Sequence, residues 1–243
     1  MSVCIVGWSH SRFGKFDGAD LETLITGVTR DAIAHAEIPA SAIDALWLGN
    51  YNGGLVAENF CSSLILQADE ALRWKPATRV ENACASGSAA IYSACDAIEA
   101  GRAKIALVVG AEKMTAVSGE GVTRALGSAA YASEIAAGAT FPGIFASIAQ
   151  AYFARYGDHS ATLARIAAKN HANGGRNPYA HLRKDLALFQ AAASDAARSH
   201  NSANSLEPAS DRAPMSARLV TPSACCKPVT DNSLSVNVPV LSK

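Results

Sequence analysis

The chain has 243 residues, 49% of them apolar and 17% charged, with 21 basic and 21 acidic side chains and a formal net charge of zero. That length can bury a sizeable core, and the charge balance gives no electrostatic footing to nucleic acid or a polyanionic surface. No run approaches the length of a membrane span, and the start, MSVCIVGWSH, lacks a charged region followed by a long apolar stretch, so a cytoplasmic protein with no membrane partner is expected.

Strands and helices alternate along the chain, which argues for a layered α/β fold. Residues 2–7 read as a strand leading into the loop WSHSRFGKF. A helix follows with Leu21, Leu24, Ile25, Val28, Ala32 and Ile33 on one stripe at helical spacing, and Pro39 ends it. Ser41 opens a short link to a strand over 45–49, after which Asn50, Asn52, Gly53 and Gly54 mark a loop. A second helical stretch is predicted from about Glu58 to Ala71, then a strand over 77–80, a helix behind Cys84 and a strand over 105–109.

Cys84 falls on the sharp turn between the strand at 77–80 and the alanine-rich helix that follows. A thiol at a helix N-terminus feels the positive end of the macrodipole and nearby backbone N–H groups, which favours the nucleophilic thiolate. The small residues Ala85, Ser86, Gly87, Ser88, Ala89 and Ala90 leave room for a bulky acyl chain to approach. Taken alone, Cys84 reads as a small packing residue, as most free cysteines are.

The surrounding strings change that balance. VENACASGSAA, then ALVVGAEKMT, FPGIFASIAQAYFARYG and KNHANGGRNPYAHLRK occur in an order and spacing that resembles the thiolases, most closely the branch of the archaeal thiolases and the thiolase part of sterol carrier protein X. The resemblance covers residues 1–185 well and 217–231 weakly. It implies the first, N-terminal half of the thiolase-like layered fold, with a loop insertion. It also implies that Cys84 is the nucleophile of acyl transfer between coenzyme A thioesters, by Claisen condensation or thiolysis. Coenzyme A is then a substrate, and no metal or redox cofactor is implied.

Past Met114 the sequence is rich in glycine and alanine without clear period until Phe141, and the resemblance makes this the start of the insertion that thiolases place over the active site. Pro142 suits the first turn of a helix running to Tyr156, with Gly157 as its cap. Another helix is predicted over 161–171, closed by an Asn173-Gly174-Gly175 turn. The resemblance places Phe141 and Pro142 near the bound acyl-thioester and lets His171, in KNHANG, approach the coenzyme A channel. Read without it, they are an ordinary aromatic, a helix-starting proline and a surface histidine. The other five histidines show no partner spacing, and Gly119 to Gly121 is a weak phosphate-loop signal with no strand ahead of it.

Six cysteines (Cys4, Cys61, Cys84, Cys95, Cys225 and Cys226) lack metal-ligand spacing and are expected as reduced thiols, so no metal site is predicted. All 18 glycines lie at or before Gly175, whereas six of nine prolines lie at or after Pro178, which marks a change of regime. The domain reading is a core over 1–115, an insertion over about 116–216 and a degenerate tail over 217–243. Residues 190–216 read as loop, and Pro239 argues against a central strand in the tail.

Thiolases carry a second, similar half that supplies a histidine, a second cysteine and much of the oxyanion hole; none of those motifs occurs here. The resemblance therefore points to a truncated acyltransferase, either a homo-oligomer or a partner for a missing C-terminal half. The face of the Cys84 helix that would meet that half is expected to expose an apolar patch. The alternatives are an inactive thiolase-like fragment or interaction module, and a ketoacyl synthase-like condensing enzyme with the same fold and nucleophile.

Overall fold

Short, mostly apolar runs become the strands. The computed structural model describes residues 3–184 and the strand at 240–242. Five strands form one mixed sheet: β1 (Cys4–Gly7), β2 (Ala45–Gly49), β3 (Ala77–Val80), β4 (Ile105–Gly110) and β5 (Val240–Ser242). Their order is β1-β5-β4-β2-β3. β2 pairs in parallel with β3 and β4, while β5 runs antiparallel between β4 and β1.

Two layers cover the sheet. α1 (Leu21–His35) starts at Asp20, whose Oδ1 accepts from the Thr23 N–H at 2.8 Å, and turns Leu21, Ile25, Val28 and Ala32 inward. These pack with Leu46, Leu48, Leu107 and Val109 from one sheet face. α2 (Ser86–Glu99) covers the other face, where Ala90, Ala94 and Ile98 meet Ala106 and Val108. Alternation along β2 and β4 thus supplies both cores.

Several expectations shift. α1 stops at His35, because Glu37 takes a left-handed φ of 54° and turns the chain before Pro39 is reached. The stretch expected as a helix over 58–71 is a pair of 3₁₀ segments, Cys61–Ala68 and Glu70–Leu72. Burial at Ser62, Ile65 and Ala68 keeps a period of three, as 3₁₀ geometry requires. Pro39 instead precedes a single 3₁₀ turn, Ala40–Ala42.

The stretch before Phe141 holds helix where no period suggested it, α3 (Gly119–Gly127) and α4 (Ala132–Ala136), and the two expected helices follow as α5 (Phe141–Tyr156) and α6 (Ser160–Arg176). Ser118 caps α3 by accepting from the Gly121 N–H, and Thr140 caps α5 from Gly143. α6 runs through Gly174 and Gly175 rather than turning there; the Leu182 carbonyl sits 3.3 Å from where a Gly174 Cβ would be, a close approach that suits glycine. β5 begins immediately after Pro239 and lies between two strands, so the proline does not keep the tail out of the sheet. A proline ahead of the first strand residue removes no ladder donor from the strand itself. The calls on 190–216, 217–231, Cys225 and Cys226 lie outside the described residues.

Asp44 joins the N-terminal ends of β2 and β4. Its Oδ2 accepts from the Lys104 and Ile105 N–H groups at 2.7 and 3.0 Å, and these bonds hold the carboxyl below the ordinary aspartate value of 3.8. A depressed carboxyl contributes stability that is present above its unfolded value and lost as the pH falls through the folded one. Asp44→Asn is therefore expected to flatten the loss of stability below about pH 4, read as urea midpoints against pH.

Candidate active site

Register decides where the chemistry can gather. Gly49 at the end of β2 lies opposite Val80 of β3 and Gly110 of β4. Three loops therefore leave the sheet side by side at the C-terminal ends of its parallel strands, the edge where open α/β sheets place their sites. They carry Asn50 to Asn52, Glu81 to Ala85, and Ala111 to Lys113.

The middle loop is a strained elbow. Ala83 adopts a φ of 45°, the left-handed region that non-glycine residues avoid. Local hydrogen bonds hold it there. Glu81 Oε1 accepts from the Ala83 N–H, and Ser86 Oγ accepts from the Asn82 N–H at 2.8 Å while donating to the Ala83 carbonyl at 2.7 Å. The Ala85 and Ser86 N–H groups return to the Asn82 and Ala83 carbonyls. Cys84 sits at the crest of this turn, exposed, two residues before α2, whose start no side chain caps. Its thiol is therefore open to solvent rather than packed into a core.

A clamp fixes the neighbouring loop that follows β2. Glu112 Oε2 accepts from the Tyr51 N–H at 2.9 Å, and its Oε1 accepts from the Asn52 N–H at 3.1 Å and from Asn50 Nδ2 at 3.2 Å. From β3, Arg79 donates to the Asn50 and Tyr51 carbonyls at 3.0 and 2.7 Å. Burial raises the Glu112 carboxyl above its ordinary value, opposed by the Tyr51 and Asn52 N–H groups and the Arg79 charge. Glu112 and Arg79 were missed as site residues in the sequence, although an arginine inside the short strand Ala77–Val80 is a visible signal.

The other expected site residues are not drawn to Cys84 by any hydrogen bond or ring contact among the described residues. Phe141 and Pro142 open α5, with the Phe141 ring edge-on to Phe145 at 5.0 Å, and His171 is half-buried within α6. The outer face of α2 also differs from expectation: it exposes Ser88, Tyr92, Asp96 and Glu99, a mostly polar surface. Apolar side chains are exposed instead on α5 and α6, at Phe145, Ile148, Tyr152, Leu163 and Ile166. No helix among the described residues is long and apolar enough to cross a membrane.

Comparison with known proteins agrees with this geometry. The family model described as "Thiolase, N-terminal domain" matches residues 3–215. The acetyl-CoA acetyltransferase of Methanothermobacter thermautotrophicus is 35% identical over 191 residues, covering 77% of this chain and 49% of that protein. That of Methanocaldococcus jannaschii is 35% identical over 190 residues, and human sterol carrier protein 2 is 26% identical over 204, covering 79% of this chain and 36% of its own. The chain thus spans about half the length of its archaeal relatives. Among solved structures, the Ltp2-ChsH2(DUF35) aldolase superposes with a TM-score of 0.66 at 19% identity, covering 99% of this chain and 55% of that one. The acetyl-CoA acetyltransferase of Syntrophomonas wolfei does so with 0.54 at 19% identity, over 72% and 47%. Both likenesses concern the fold.

Proposed function

The chain belongs to the thiolase family, and from that premise we propose that it serves thiolase-type acyl transfer, with Cys84 as the group that accepts the acyl unit of a coenzyme A thioester. The observation that carries this reading is the exposed Cys84 on a strained, hydrogen-bonded elbow at the uncapped start of α2.

The chemistry follows from the position. The Cys84 thiolate attacks the thioester carbonyl, and the oxygen takes up negative charge beside the N–H dipoles of the first helical turn. Collapse breaks the carbon–sulfur bond to coenzyme A, whose thiolate then takes a proton, and the acyl group stays on Cys84. Acetyl-CoA or a 3-ketoacyl-CoA are the proposed donors, coenzyme A being substrate rather than resident cofactor. Phe141, Pro142 and His171 are proposed to line the path of the ester.

Condensation asks for more: a base to remove an α-proton and donors for the enolate oxygen. Among the described residues no histidine, carboxylate or second cysteine is hydrogen-bonded to Cys84. We place those groups in a second half of the kind the resemblance implies. Recovery of condensing activity on mixing with such a half supports that assembly. An inert thiolase-like module is the competing reading.

Exchange separates the two. With acetyl-CoA and isotopically labelled coenzyme A, the label is expected to pass into acetyl-CoA and to stop in Cys84→Ala. Equal exchange in the variant, or none in the wild type, would contradict acyl transfer through Cys84.

A further inference from the structure

We propose that Tyr51 is a positioning residue: its hydroxyl pins the helical insertion to the core beside the Cys84 elbow and thereby admits the coenzyme A ester. The inference rests on the acyl-transfer reading for its substrate and on separate geometry for the pin.

The backbone of Tyr51 is fixed at both ends of its peptide groups. Its N–H donates to Glu112 and its carbonyl accepts from Arg79 at 2.7 Å. Two residues earlier, a Cβ on Gly49 would lie 2.8 Å from the Ser86 carbonyl oxygen and 2.9 Å from Gly87 Cα. The loop therefore rides on the backbone that follows Cys84, and any shift of one is felt by the other.

The side chain points the other way. Tyr51 Oη donates to the Ala125 carbonyl at 2.8 Å and lies 2.7 Å from Ser128 Oγ, which itself donates to Ala125 at 2.7 Å. These groups end α3, where the Ala125 carbonyl also accepts from the Ser128 N–H at 3.2 Å. Gly53 adds a backbone approach, with a Cβ position 3.2 Å from the same Ala125 carbonyl. One residue thus joins the last turn of α3 to the loop that abuts the elbow. A small alkylating reagent needs only the thiol, whereas a long ester needs the insertion held at a set distance from it.

Tyr51→Phe keeps the ring and removes the hydroxyl. Alkylation of Cys84 by iodoacetamide is expected to stay within about twofold of wild type, and the half-saturating acetyl-CoA concentration for Cys84 acylation to rise about threefold to tenfold at unchanged maximal rate. Hydrogen exchange of the α3 amides is expected to speed up about threefold to tenfold, with α2 unchanged. Unchanged α3 exchange overturns the pin whatever the acylation shows. Equal losses in alkylation and acylation overturn the positioning role, because they mean the elbow itself has moved. A wild type that alkylates but never acylates overturns the acyl-transfer reading and the admission of the ester together, while faster α3 exchange in the same samples still supports the pin.

Discussion

Gly49→Ala is expected to lower the free energy of unfolding by about 3 kcal/mol, the upper part of the range for forcing atoms into a packed site. The methyl would sit 2.8 Å from the Ser86 carbonyl oxygen and 2.9 Å from Gly87 Cα and the Ser86 carbonyl carbon. All three are backbone atoms, so no side chain can swing away. Gly49 is buried in a central strand paired on both sides, to Val80 and Gly110, so the strand cannot retreat either. The start of α2 must move instead, and Cys84 precedes it by two residues. Iodoacetamide labelling of Cys84 should slow or speed severalfold in the same variant, whereas Gly27→Ala, on the outer face of α1 with nothing within 4 Å, should leave it unchanged. Chemical denaturation and labelling kinetics read the two effects.

Glu112→Ala is expected to cost about 2–3 kcal/mol, since it leaves two backbone donors facing a gap. Tyr51 N–H and Asn52 N–H lose their acceptor at once and Asn50 Nδ2 keeps only the Ala111 carbonyl at 2.9 Å, while Arg79 continues to pull on the carbonyls of the same loop. Glu112→Gln is expected to cost less, because its oxygen can still serve one side of the loop. Its pH behaviour runs opposite to that of Asp44. Burial raises the Glu112 carboxyl, so its contribution is present below the ordinary glutamate value of 4.5 and lost as the pH rises through the raised one. Urea midpoints from about pH 4 to pH 8 should fall in the wild type over that interval by more than in Glu112→Gln.

How legible these features were depended on whether their cause was local. The runs predicted as strands at 45–49 and 77–80 coincide with β2 and β3, because their causes act within a few positions. The elbow was placed by the strings around Cys84. By contrast, α3 owes its place to Tyr51, 74 residues from Ala125, and no period in a glycine-rich stretch announces such a bond. The clamp is non-local too: Glu112 holds a loop 60 to 62 residues earlier. Gly174 and Gly175 read as a turn on propensity alone, yet both lie within α6, where the Leu182 carbonyl approaches Gly174 closely. The 3₁₀ segment at Cys61–Ala68 was mistaken for α-helix because its period of three lies close to 3.6 over so few residues.

The account turns on which sulfur takes the acyl group. Full-length protein incubated with acetyl-CoA, quenched in acid and digested should carry one acetyl group on the peptide containing Cys84, discharged when free coenzyme A is added. An acetyl group found instead on the exposed Cys4, or no adduct on a chain whose Cys84 still reacts with iodoacetamide, would contradict it.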